Sequence, residues 1–153
     1  MKKISTMLVI ALTVSSLLSV SAFAQGRARG RFYSKGDVER IIKRVEDRSD
    51  SFQKTVDKTL DRSSLDGTRR EDNINEQVKQ LERALDNLRS DFDRRDQWRE
   101  THNEVRAVLN QADEVGRIVK RFRFNNQVQR EWAALRADLN TLAGIYDLPR
   151  LRN

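Results

Sequence analysis

The chain has 153 residues, 35% of them charged, a formal net charge of +7 and no cysteine. The missing cysteine excludes disulfides, thiolate metal sites, cysteine nucleophiles and a lipid-modified N-terminal cysteine. Whatever holds the protein together is therefore its packed core.

Met1-Lys2-Lys3 is a short basic start, followed by an apolar run from Ile4 to Val20 broken only by Ser and Thr. Ser21-Ala22-Phe23-Ala24 then puts small residues at both positions of an A-x-A signal. That order predicts a secretory signal peptide over residues 1–24, cleaved between Ala24 and Gln25. The rival reading is an uncleaved anchor, since the run is at the short edge of a bilayer span. Small side chains at 22 and 24 favour cleavage. No second apolar run follows, so the mature form is expected to have no integral membrane span and to be periplasmic or secreted. Cleavage leaves 129 residues, enough for one single-core domain.

Lys2 and Lys3 leave with the leader, so 28 basic residues face 23 acidic ones, a net +5. Arg27, Arg29, Arg31 and Lys35 supply four of those charges, with no acid before Asp37. The high pI thus belongs largely to a flexible basic arm, residues 25–35, and says little about nucleic-acid binding by the folded body. Two readings of the arm stand. Its glycines, arginines and the aromatics Phe32 and Tyr33 suit an anionic polymer or lipid head groups through phosphate contacts and stacking. The plainer reading is a leader with Phe32 and Tyr33 docked on the bundle end.

Beyond Lys35 the apolar spacing is helical. Val38, Ile42, Val45, Ser49, Phe52 and Val56 step by fours and threes, a heptad seam with one polar member. Ser34 and Asp37 resemble an N-cap with an acidic third position. The pattern fades near Leu60, and residues 62–67 read as a loop in which Gly67 supplies a positive φ and Asp66 bonds its own backbone. Thr68 with Glu71 reads as a capping box before the seam Ile74, Val78, Leu81, Leu85, Leu88 and Phe92. A charged stretch from Asp93 to Glu100 suggests a turn and carries one exposed-looking aromatic, Trp98. Thr101 with Glu104 makes another capping-box pair before Val105, Val108, Ala112, Val115, Val119 and Phe122. Asn125 and Asn126 break the pattern and suit a cap. Val128, Trp132, Leu135, Leu139, Leu142 and Tyr146 form the last seam, which Pro149 stops.

These segments predict helices at about 36–61, 69–96, 102–122 and 127–147 within a bundle domain over 36–153. The fold class is all-α: an up-down-up-down antiparallel four-helix bundle after a cleaved signal peptide. Ile41, Ala84, Leu109, Ile118 and Ala143 widen the stripes beyond a bare two-stranded coiled coil. Two long hairpins that form a homodimer are the alternative.

No motif states a chemistry. His102 is the only histidine and sits among polar residues, so it reads as a solvated surface side chain. The loop from Asp61 fails as a calcium loop, with Leu65 at its fifth position, Gly67 seventh and Asp72 rather than Glu twelfth. Acids alternate with arginines on outer faces, the pattern of a solvated surface. No catalytic, cofactor-binding or metal residue is assigned, and an enzyme is not expected. Phe122 and Trp132 fit seams. Trp98 and Phe124 fit less well, and either close the bundle ends or mark a partner patch.

Leu60-Asp61-Arg62-Ser63, Asp66-Gly67-Thr68-Arg69-Arg70-Glu71-Asp72 and Ile74-Asn75 resemble a run found in uncharacterised exported bacterial all-helical proteins. The ending Trp132, Leu135-Arg136-Ala137-Asp138-Leu139-Asn140, Leu142-Ala143 and Tyr146 is similar to theirs too. The resemblance implies a bacterial, exported, helical domain and brings no activity. The expected role is binding an envelope protein or component, as an interaction or stress-type protein; the alternative is a polyanion or membrane-surface binder acting through the arm.

Overall fold

The computed structural model describes residues 33–152, and within them all regular structure is helical. The elements are α1 (Lys35–Leu60), α2 (Arg69–Arg94), a short 3-10 turn (Trp98–Thr101), α3 (His102–Phe122) and α4 (Asn126–Ile145). The predicted helix limits hold to within two residues at every end. No helix among the described residues is long and apolar enough to cross a membrane. The leader, the cleavage pair Ala24 and Gln25, and most of the basic arm lie outside the described residues.

Each helix begins where its local chemistry directs. The Ser34 hydroxyl accepts from the Asp37 N–H, and the Asp37 carboxylate accepts from the Ser34 N–H at 2.9 Å, a reciprocal capping box. The Ser34 hydroxyl also donates to that carboxylate at 2.7 Å, and this bond together with the one from the Ser34 N–H holds the Asp37 carboxyl below the usual carboxylate range. At α2 the Thr68 hydroxyl accepts from the Glu71 N–H, but Glu71 reaches one residue further back than expected, to the Gly67 N–H at 2.6 Å. Gly67 has φ +69°, a left-handed turn that costs a residue with a Cβ roughly 1–2 kcal/mol. Inside that loop it is Ser63, not Asp66, whose side chain accepts from the backbone, at the Leu65 N–H. Asn125 caps α4 by accepting from the Gln127 and Val128 N–H groups, both at 3.0 Å.

The four seams meet in one continuous core. Every residue of the first, second and fourth seams is buried, including the polar Ser49, and Leu60 extends the first by one more turn. In the third seam Phe122 is the exception, half-buried where α3 ends. Helix α1 packs against α4 and α2, and α3 against α2 and α4. Contacts between chain segments tie the ends. Lys35 Nζ donates to the Arg95 carbonyl at 2.5 Å, and Asn125 Nδ2 donates to the Thr59 hydroxyl at 3.2 Å. After α4 the chain folds back: Leu148 is buried, and the Leu151 N–H donates to Asn140 Oδ1 at 2.7 Å.

Candidate functional site

The first polar cluster closes one end of the bundle. Thr101 does not cap α3 through its side chain, contrary to the capping-box expectation. Its hydroxyl points inward, donates to the Trp98 carbonyl at 2.7 Å and lies 2.8 Å from the Tyr146 hydroxyl. The 3-10 turn makes this possible by lifting Trp98 over the end of the core, where its ring meets Tyr146 edge-on at 5.1 Å. The indole N–H donates to the Tyr33 carbonyl at 3.2 Å. Burial pushes the Tyr146 phenol up to about 12, so it serves as a neutral hydrogen-bonding strut. His102 lies beside it, half-buried rather than solvated, with ring centroids 6.5 Å apart. Of the two aromatics read as end closures or partner patch, Trp98 thus occupies a closing position. Phe124 is half-buried at the opposite turn, 6.3 Å from Phe122. Lys35, read as part of the arm, is the first residue of α1, with its ammonium on the Arg95 carbonyl and 5.4 Å from the Phe92 ring centroid. Arg27, Arg29 and Arg31 are outside the described residues.

The second cluster departs from the expected charge pattern. Asp138 is buried at the α1–α4 contact, not on a solvated face. Arg44 Nε donates to its Oδ1 at 2.9 Å, and Arg48 Nε lies 2.5 Å from Oδ2. The two arginines sit one turn apart on α1, so a single carboxylate meets both. A third group brings carboxylate oxygens of Asp61, Asp66 and Glu71 within 4.8 Å of one another around the α1–α2 loop. Two of the three are exposed and the third already accepts from Gly67, which is ordinary for an acidic turn.

On the α1–α2 face, Glu46 is partly desolvated, and this burial raises its carboxyl above the ordinary range despite Arg89 nearby. The native state then holds that proton more tightly than the unfolded chain does. Its contribution to stability is present at low pH and lost as pH rises past the usual carboxylate range. Glu46→Gln removes this loss, so the variant should gain stability relative to the parent between about pH 4 and about pH 7. Paired thermal melts at the two values check the sign. Asp37, Glu76 and Asp91 have lowered values and act in the opposite sense, but equally in both proteins.

Surface grooves among the described residues flank α3. One of about 520 Å³ runs between Ile74 and Phe122 under Arg69, Arg70 and Arg121. One of about 410 Å³ lies between α3 and α4 over Trp132, and another of about 400 Å³ lies beyond the tail, beside Leu109 and Leu148. The sequence signalled none of them, because each arises where two segments distant in the chain leave a furrow. Comparison with protein-family models, curated proteins and solved structures gives no match.

Proposed function

We propose that the chain is exported, loses residues 1–24 between Ala24 and Gln25, and acts in the bacterial envelope as a non-enzymatic bundle that works by binding. The helices are read as an up-down-up-down antiparallel bundle. Support comes from the short turns and from the end-to-end pairings of Lys35 with Arg95, Thr59 with Asn125 and Trp98 with Tyr146.

The observation that carries the binding reading is where the polar chemistry lies. The core is aliphatic and aromatic, and among the described residues three of the four buried polar ones are already engaged: Glu71 by Gly67, Thr101 by Tyr146, Asp138 by two arginines. What is left to meet another molecule is a charged exterior with cation-rimmed grooves. The resemblance to uncharacterised exported bacterial proteins supports the export half of this reading.

Expression of the full chain in a bacterial host, followed by fractionation and intact-mass measurement, tests both halves. The expected product begins at Gln25, lies in the periplasm or medium and sediments saturably with purified envelope. A cytoplasmic product retaining its leader overturns export. An exported product that never co-sediments overturns the binding role.

A further inference from the structure

The groove between α3 and α4 combines an apolar floor, built around a tryptophan ring, with a cationic rim. Its floor is apolar, made by Ala112 and Gly116 on α3, Trp132 on α4 and Leu151 of the returning tail. Gly116 is what lets the indole lie this low: a Cβ there would come within 3.0 Å of the Trp132 ring. Phe52 supports the indole from the core side at 5.6 Å between centroids. The rim is cationic, with Arg117, Lys120, Arg136 and Arg152 against one acid, Asp113. Arg117 is spoken for, at 2.6 Å from Asp113 and 3.0 Å from Glu114. Among the described residues Lys120, Arg136 and Arg152 enter no salt bridge. Three cations therefore overlook an apolar trough of about 410 Å³, and among the described residues none of them is held in a salt bridge.

We propose that this groove binds a single-chain anionic amphiphile, with the acyl chain along Gly116 and Trp132 and the anionic head among Lys120, Arg136 and Arg152. Charge complementarity selects the head, because an anion there gains attraction from three cations that enter no salt bridge among the described residues. The apolar floor selects the tail, because covering it removes hydrocarbon from water at both surfaces. A bare anion would meet only the rim and a neutral hydrocarbon only the floor. The inference deepens the binding reading by naming a ligand class, yet it does not depend on export.

The test is calorimetric titration of the purified protein with dodecanoate below its micelle concentration. Inorganic phosphate and dodecyltrimethylammonium serve as controls for the anion alone and for the same chain with a head of opposite charge. The expected result is saturable dodecanoate binding, at least tenfold weaker in the Lys120→Gln/Arg136→Gln/Arg152→Gln variant, with both controls weaker than dodecanoate by a similar factor. In Trp98→Phe, where Trp132 is the sole tryptophan, its emission should shift as the site fills. The three charge changes are on partly or fully exposed side chains and leave the core intact. No dodecanoate binding, equal binding by the triple variant, equal binding of phosphate, or equal binding of the cationic chain each overturns the proposal. Any of these outcomes leaves the envelope co-sedimentation result standing or falling by itself, so the two failures are distinguishable.

Discussion

Replacing Phe52 with alanine is expected to destabilise the protein by about 3–5 kcal/mol, the usual cost of deleting a fully buried phenyl ring. Phe52 is completely buried at the middle of the first seam and packs, tilted by 48°, on Trp132 of α4. The change removes apolar burial and opens a cavity between α1 and α4 beside the Trp132 ring, in a close-packed core that relaxes only partly around a lost side chain. For a body of this size the loss corresponds to a fall in melting temperature of roughly 10–20 °C. Thermal unfolding followed by circular dichroism measures it. Lys54→Ala, an exposed position two residues along the same helix, should stay within about 0.5 kcal/mol of the parent. A Phe52→Ala cost below about 1 kcal/mol would mean that α1 and α4 are not packed as the core requires.

The contrast between those two neighbours shows what a periodic sequence can reveal. Burial follows the seams because a helix presents every third or fourth residue to one face, so a run of Val, Ile, Leu and Phe at that spacing states which side faces inward. Even Ser49 was readable, since its position in the repeat outweighs its polarity. The failures share a cause. Thr101 and Glu104 carry the local pattern of a capping box, but the Thr101 hydroxyl is claimed by Tyr146, 45 residues further along the chain. Asp138 looked like one more surface acid because its arginines lie 94 residues upstream in one case and on the same α1 face in the other. Glu71 overshoots its expected partner because Gly67 turns its N–H toward the helix. A local code reports local competition among hydrogen bonds; it does not see partners that only tertiary packing delivers. The α3–α4 groove is the extreme case, since neither Gly116 nor Trp132 signals a furrow until the two helices meet.

Asp138→Ala is the second substitution expected to have a large effect, about 1–3 kcal/mol. The carboxylate is buried and joins Arg44 and Arg48 across the α1–α4 contact, so its removal leaves two cations facing a small apolar gap. Breaking a fully buried ion pair costs about 3–5 kcal/mol, because the surviving charge has nowhere to go. Here the arginine side chains are 49% and 42% exposed and can turn their heads into water, which lowers the cost. For the same reason, removing either arginine alone should cost less than removing the acid, because the other still neutralises it. The acid needs at least one arginine; neither arginine depends wholly on the acid. Denaturant unfolding of Asp138→Ala, Arg44→Ala, Arg48→Ala and the double variants measures this asymmetry as coupling energies. Salt separates the burial argument from an ordinary surface pair. Raising ionic strength should shrink the small effect of breaking the exposed Arg117–Asp113 pair, while leaving most of the Asp138→Ala penalty in place. A penalty that vanished in salt would show the Asp138 cluster to be a screened surface contact, and would shift the work of holding α4 against α1 entirely onto the apolar seam around Phe52.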